Sequence, residues 1–415
     1  MEMYENSEKI QRALLVGVDT GEYDAESSMA ELYELVESAG AEPVASMMQK
    51  RDKPDGATAV GSGRLEEIKE FCLNNEIDFI VFDMELTPTQ IRNIETATDT
   101  RTIDRTMLIL DIFAIRAKTN EGKLQVELAQ LRYLLPRLSG KGKEMSRLGG
   151  GVGTRGPGET KLETDKRHIR RRIESLKDEL EGMKDRRERL RSRRKKDGII
   201  TTAIVGYTNA GKSTLMNTLT QAGVLSENKL FATLDPTSRA LKLPGGMSVM
   251  MIDTVGLVRR LPHDLVEAFK STLEEAAVAD IILNVCDASS EEYKLHLEVT
   301  NSLLEELGCK GKPIITVYNK CDLVEALYDL PKGKDSVCIC AKSGIGTEEL
   351  LRAIEENLPV RLRSYKLLLP FDKASLLAVL RKAGALKTEE YTNEGIVATA
   401  IVEEPLWHLV DEYSV

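Results

Sequence analysis

The sequence predicts an α/β chain of several domains, and three observations carry that prediction. Short apolar, β-branched runs alternate with helix-like segments over residues 12 to about 115 and again after 198, the signature of parallel sheets covered by helices. Between these stretches the apolar spacing changes to a 4-3-4-3 rhythm, the pattern of an antiparallel helical hairpin or short coiled coil. At the end, residues 361 to 415 hold one strand, one helix and a hairpin, enough for a small α+β unit. The implied division is an N-terminal parallel α/β domain (1–118), a helical hairpin with a Gly-rich basic loop (119–197), an α/β domain with a mostly parallel sheet (198–362) and a C-terminal α+β domain (363–415). Four such units suit a chain of 415 residues.

The first domain reads as follows. Arg12–Val18 is a strand. Ser27–Ala39 has helical spacing, with Ser27 or Ser28 as N-cap and Gly40 past its end. Pro43–Met48 is a second strand, and Gly61-Ser62-Gly63 opens a helix running to about Asn75. Ile77–Phe82 is a third strand, Thr87-Pro88 starts a helix with proline near its first turn, and Thr102–Asp104 is a short fourth strand. The Gly61–Gly63 turn offers little to an anion and reads first as a structural turn.

In the hairpin, Leu124, Leu128, Leu131, Leu135 and Leu138 form one stripe. Ile169, Ile173, Leu176, Leu180 and Met183, continuing to Leu190, form the other. The 139–158 stretch between them is glycine-rich and carries Lys141, Lys143, Arg147 and Arg155. A loop of this length is usually functional or disordered. Its flexibility and charge suit an RNA phosphate surface, and a solvated tip is the plainer alternative. The net charge is −10, yet residues 166 to 196 hold 15 Lys/Arg against 6 Asp/Glu. A basic arm on an acidic body favours nucleic acid, because phosphate neutralisation drives such binding. Six scattered cysteines give neither a disulfide framework nor metal-ligand spacing. No run of about 18 apolar residues occurs, and the acidic N-terminus is unlike a signal peptide. A cytoplasmic location follows, with no stable membrane insertion and only peripheral membrane association left open. A monomer is expected.

The chemistry centres on Gly206, Tyr207, Thr208, Asn209, Ala210, Gly211, Lys212, Ser213 and Thr214, which fit G-x-x-x-x-G-K-[ST]. The strand Ile199–Val205 precedes them and a helix can start at Thr214. Successive N–H groups of such a loop form an anion nest. Lys212 would reach the β- and γ-phosphates and Ser213 would bind Mg²⁺. Asn209 could accept a monovalent cation such as K⁺, or simply form the loop.

Four segments follow in the order a GTPase requires. Phe231, Ala232, Thr233, Leu234 and Asp235 form the first switch, with Thr233 as the second Mg²⁺ ligand. Strand Val249–Ile252 ends in Asp253, Thr254, Val255 and Gly256. There Asp253 holds Mg²⁺ through water and the Gly256 N–H touches the γ-phosphate. Strand Ile314–Tyr318 ends in Asn319, Lys320, Cys321 and Asp322. The Asp322 carboxylate only accepts hydrogen bonds. Guanine offers it N1–H and an amino group, whereas adenine would face it with an acceptor. Strand Ser336–Cys340 leads through Cys340 to Ala341 and Lys342, whose backbone amides can meet the guanine oxygen. The catalytic set is therefore Lys212, Ser213, Thr233, Asp253 and Gly256. Leu257 stands where many small GTPases carry a water-orienting glutamine, so slow intrinsic hydrolysis is expected.

With these residues in view the chain closely resembles the HflX family of translational GTPases. The specific marks are Asp83–Asn93, Asp104–Ala114, Glu121–Gln130 and Gly149–Glu159, joined by Phe231–Asp235 and Asp253–Gly256. The family usually carries phenylalanine where Leu257 stands, and serine where Cys340 stands. The resemblance implies a Mg²⁺-dependent GTPase that binds the large ribosomal subunit and its rRNA. The N-terminal domain and hairpin would engage rRNA. The GTP form would split or rescue stalled ribosomes under stress, with hydrolysis stimulated by the ribosome. The alternative reading is a regulatory GTP switch that binds a protein partner through a coiled-coil hairpin.

Overall fold

The computed structural model describes residues 10–138, 157–196, 199–220, 230–231, 237–259, 274–324, 330, 333, 335–359, 362–383 and 385–415. The chain forms two compact units. One comprises residues 1–188 with 227–235 and 258–271, and the other 189–226 with 236–257 and 272–415.

In the first unit the elements run β1 (Arg12–Asp19), α1 (Ala25–Ser38), β2 (Glu42–Lys50), α2 (Ser62–Asn74), β3 (Phe79–Phe82), α3 (Pro88–Thr98), β4 (Arg101–Asp104), α4 (Arg105–Arg116), α5 (Asn120–Arg137) and α6 (Pro157–Lys196). The four strands make one sheet in the order β2-β1-β3-β4, and every pairing is parallel. Leu14, Val16, Ile80 and Phe82 are fully buried in its core, as expected for a parallel sheet covered on both faces.

Local chemistry sets the helix starts. Thr87 and Gln90 form a capping box, with proline in the first turn of α3. The N-cap of α1 is Asp24, which accepts from the Ser27 N–H, and not Ser27 or Ser28. Ser28 is instead buried, and its hydroxyl donates to Asp83. Asp24 wins because a carboxylate at the N-cap also meets the positive helix end. Helix α4 has no counterpart in the sequence reading. Its residues Leu108, Ile109, Leu110, Ile112 and Phe113 are all buried, so its apolar surface is too wide to show a clear helical stripe.

The two leucine stripes meet within the chain, except that Leu190, expected to continue the second, is exposed on the far end of α6. Leu124 and Leu128 of α5 pack with Ile173 and Leu176 of α6, flanked by Leu131, Leu135, Ile169, Leu180 and Met183. The ladder is reinforced by the Arg172 guanidinium, which grips Glu127 through two 2.7 Å hydrogen bonds. The basic glycine-rich stretch expected at the tip lies, through residue 156, outside the described residues.

The second unit continues with β5 (Thr201–Gly206), α7 (Lys212–Thr220), β6 (Thr237–Lys242), β7 (Ser248–Asp253), β8 (Ile281–Asp287), α8 (Tyr293–Glu306), β9 (Ile314–Asn319), β10 (Ser336–Cys338) and α9 (Thr347–Glu356). These strands form one sheet, β10-β9-β8-β5-β7-β6, parallel except for β6 against β7. The unit ends with β11 (Leu362–Leu369), α10 (Ala374–Lys382), β12 (Leu386–Thr392), β13 (Gly395–Glu403) and α11 (Glu404–Val410). The last three strands pair antiparallel in the order β11-β13-β12 around a core that includes Leu367, Leu369, Ile396 and Ala398. The helix expected from Lys373 begins as a 3-10 turn at Phe371–Lys373 and becomes α-helical at Ala374. Pro370 just before it explains the tight start.

Candidate functional site at the phosphate loop

Three strand ends build the site. Register places Ile204 beside Asp253, Gly206 beside Val285, and Asp287 beside Asn319. The phosphate loop after β5, Asp253 at the end of β7 and Asn319 at the end of β9 therefore share the carboxyl edge of one sheet. Open α/β sheets bind ligands at that edge.

The loop itself is shaped by glycine. Gly206 has φ 149° and a Cβ there would lie 2.0 Å from the Val285 carbonyl oxygen; at Gly211, φ 89°, it would lie 2.2 Å from Asn319 Nδ2. Neither position tolerates a side chain. Asn209 sits exposed near the loop apex with φ 60°, a left-handed conformation that asparagine accepts better than most residues.

Lys212 is buried, and its ammonium donates to the carbonyls of Gly206 (3.1 Å) and Tyr207 (2.7 Å). Burial pulls its pKa down to about 8, with the nearby Asp253 carboxylate opposing that shift. The Ser213 hydroxyl donates to Asp253 Oδ2 at 3.0 Å. A hydroxyl and a carboxylate held this close are a hard-oxygen pair of the kind Mg²⁺ prefers. Thr254 is buried and donates to the Ile204 carbonyl at 2.7 Å, which fixes the D-x-x-G strand end onto β5. Gly256 leans on the lysine: a Cβ there would lie 3.1 Å from Lys212 Nζ and 2.6 Å from Thr208 Cγ2. Leu257 then joins the loop backbone, its N–H donating to Gly206 and its carbonyl accepting from Thr208 at 2.7 Å. The Leu257 side chain is buried with Tyr207, beside Leu303 and Leu307.

Asn319 ties the phosphate loop to the loop that follows β10. Its Nδ2 donates to the Ala210 carbonyl at 2.7 Å, and its Oδ1 accepts from the Ala341 N–H at 2.9 Å. Lys320, at φ 60°, pairs with Asp287 at 2.6 Å. The Cys321 N–H donates to Ile339, and Asp322 stands exposed on a 3-10 turn. Cys340 and Ala341 are buried and Lys342 is exposed.

The structure thus gathers Gly206–Thr214, Asp253–Gly256, Asn319–Asp322 and Cys340–Lys342 within one unit. Of the first switch, Phe231 is described in the other unit, where its ring packs against Phe113. Ala232, Thr233, Leu234 and Asp235 lie outside the described residues. Three partners escaped the sequence reading. Asp287 ends an apolar run, Ile281–Cys286, that carries a plain strand signal. Thr218, which donates to the Ala341 carbonyl at 2.6 Å, and His296, which stacks on Tyr207 at 3.9 Å, give no sequence signal because only packing brings them there.

A phosphate loop, a D-x-x-G strand end and an N-K-x-D strand end on one mostly parallel sheet define a P-loop GTPase. Comparison with known proteins agrees. Residues 201–320 match the family described as "50S ribosome-binding GTPase", and residues 26–114 and 116–194 match the N-terminal and middle regions of the "GTP-binding GTPase" family. A GTPase HflX from Lacrimispora saccharolytica is 50% identical over 98% of this chain and 97% of its own. That of Escherichia coli is 39% identical over 96% of this chain and 95% of its own. Among solved structures, the SsGBP–GDP complex is similar with a TM-score of 0.51 and 28% identity, covering 84% of this chain and 98% of the other. The chain belongs to the HflX family of GTPases.

Proposed function

We propose that this GTPase binds the large ribosomal subunit through rRNA and, in its GTP form, splits or rescues stalled ribosomes under stress. The observation that carries the reading is the fate of the hairpin stripe. Leu176 and its neighbours are consumed inside the hairpin, so the long helix offers a partner chiefly charge, with Arg170, Arg171, Lys184 and Arg186 exposed. A phosphate backbone suits that face better than an apolar coiled-coil partner. The 50S-binding family match over the nucleotide domain points the same way.

In the proposed mechanism the amides of Gly206–Thr214 cradle the phosphates. Lys212 turns from its own loop carbonyls to the β- and γ-phosphates. Ser213 and Thr233 would hold Mg²⁺ directly and Asp253 through water. When bound, the ion neutralises charge on the phosphate oxygens. The Gly256 N–H reads the γ-phosphate, and Asp322 accepts from guanine. Because the Ala341 N–H is committed to Asn319, the Lys342 amide takes the guanine oxygen. Asn209 is the position for a K⁺ ion that would add positive charge at the phosphates. The buried Leu257 side chain cannot orient water, so hydrolysis is slow alone and awaits a group supplied by the ribosome. We further propose the four-domain division 1–118, 119–197, 198–362 and 363–415, a monomer, and a cytoplasmic location. Among the described residues no helix is long and apolar enough to cross a membrane.

The test is GTP hydrolysis at fixed ionic strength with and without purified large subunits, alongside pelleting with a non-hydrolysable GTP analogue. Strong stimulation, with pelleting that needs the analogue and collapses between about 50 and 200 mM salt, is the expected result. No stimulation and no pelleting would overturn the ribosomal reading.

A further inference from the structure

Helix α7 begins in the phosphate loop, with Lys212 and Ser213 in its first turn. Thr218 lies further along the same helix, about 9 Å from Lys212 along the axis. Its hydroxyl donates to the Ala341 carbonyl at 2.6 Å, and the Thr214 carbonyl of its own helix is a longer alternative at 3.0 Å. A hydroxyl has one proton to give, and a threonine inside a helix commonly gives it to the carbonyl four residues back. Here the shorter bond leaves the helix for the loop after β10.

That loop is otherwise fastened at other groups. The Ala341 N–H donates to Asn319 Oδ1 at 2.9 Å. The Gly344 N–H donates to the Cys340 carbonyl at 2.9 Å, and the Cys340 N–H to the Ile345 carbonyl at 2.9 Å. Among the described residues Thr218 is the one donor to the Ala341 carbonyl. Ala341 is only 1% exposed, so water is a poor substitute for that hydroxyl.

Two rigid peptide planes therefore flank the Ala341 Cα, and each has its own anchor. Asn319 fixes the plane before it and Thr218 the plane after it. In a trans peptide the C=O and N–H point opposite ways. Anchoring the Ala341 carbonyl on α7 thus turns the Lys342 N–H away from the helix. Lys342 is exposed, and among the described residues its N–H meets no acceptor.

On the binding mode proposed for the Lys342 amide, we infer that Thr218 is a positioning residue for guanine: by holding the Ala341 carbonyl it aims the Lys342 N–H at the 6-oxygen of the base. Without the hydroxyl, the Ala341–Lys342 peptide can rotate while Asn319 keeps the preceding peptide in place. The contact to the 6-oxygen is then lost selectively. Asp322 stands on a separate 3-10 turn, so its acceptance of N1–H and the 2-amino group is left intact.

The experiment measures equilibrium affinities of the full chain for GDP, 6-thio-GDP and IDP. 6-thio-GDP keeps N1–H and the 2-amino group but puts sulfur, a weak acceptor, in place of the oxygen. IDP keeps the oxygen and lacks the amino group. Thr218→Val keeps the branched shape without the hydroxyl, Thr218→Ala removes it with the best helix former, and Thr218→Ser retains it. The parent should bind GDP at least about fivefold tighter than 6-thio-GDP, as one hydrogen bond allows. Thr218→Val and Thr218→Ala should narrow that preference to under about twofold and leave the GDP-to-IDP ratio within about twofold of the parent. Thr218→Ser should preserve the parent's preference. A role confined to stability would lower all three affinities together and leave both ratios unchanged. An unchanged GDP-to-6-thio-GDP ratio in Thr218→Val and Thr218→Ala, or a change of equal size in both ratios, would overturn the proposal. A parent without any preference for GDP over 6-thio-GDP would overturn the Lys342 contact itself, and the role of Thr218 with it.

Discussion

Replacing Asn319 by alanine tests the construction of the site most directly. Asn319 is 2% exposed, and its amide makes two hydrogen bonds, to the Ala210 carbonyl and from the Ala341 N–H. Both partners belong to residues only 1% exposed, so water cannot replace the lost bonds. Leaving a buried backbone group unpaired costs about 1–3 kcal/mol. Two such groups give about 2–6 kcal/mol, which either destabilises the domain or is relieved by the loops moving apart. Either way the phosphate loop and the loop that follows β10 lose their common fastening. In the proposed binding mode guanine nucleotide spans both, so GDP affinity should fall at least about 30-fold, the equivalent of about 2 kcal/mol. Asn319→Asp sharpens the test. Its carboxylate can still accept from Ala341, but it turns an acceptor towards the Ala210 carbonyl, so it should rescue little. The assay is equilibrium binding of GDP to the full chain, with amide hydrogen exchange at Ala341 as a local readout. GDP binding within about threefold of the parent in Asn319→Ala would refute the reasoning, since less than 1 kcal/mol would then be at stake.

Two further outcomes follow from single side chains. Lys212, lowered to about 8 by burial, must be charged to hold phosphate, so nucleotide binding restores its proton. Below pH 8 the lysine is already charged and binding takes up almost no proton; above it, binding takes up more as the free protein loses its charge. Calorimetry in buffers of different ionisation enthalpy should find more than about half a proton taken up at pH 8.5 and little at pH 6.5; equal uptake at both would refute the assignment. In the hairpin, Leu176 is fully buried between α5 and α6, and Leu176→Ala should destabilise the hairpin by about 2–5 kcal/mol. Denaturant unfolding or protease susceptibility of α6 would read this, and a loss under about 1 kcal/mol would mean that the two stripes do not form a real core.

Much of the architecture was legible from periodicity because it rests on local chemistry. Apolar β-branched runs marked β1, β5, β7 and β9, and proline with Thr87 marked the start of α3. The leucine rhythm marked both arms of the hairpin. Strand β8 and helices α8 and α9 were passed over although their signal is local, and two elements were missed because theirs is not. Helix α4 is apolar on most sides, and β6 is a largely exposed edge strand of polar residues. The start of α1 was misplaced by three or four residues, since two serines and an aspartate compete for one cap.

The sequence by itself determined the chemistry available: a lysine and glycines suited to phosphate, a hydroxyl and carboxylate suited to a hard cation, and an aspartate suited to guanine. Those depend on residue type and on short spacing along one strand–loop–helix turn. Only the tertiary structure decided which distant residues meet. Asn319 fastens Ala210 to Ala341, Asp287 takes Lys320, and His296 stacks on Tyr207. Glu31 of the first helix takes Arg259, across 228 positions of sequence. Hydrogen bonds and buried charge pairs act over a few ångströms of space, and spacing along the chain carries no record of which distant groups the folding of the sheets will bring within that reach.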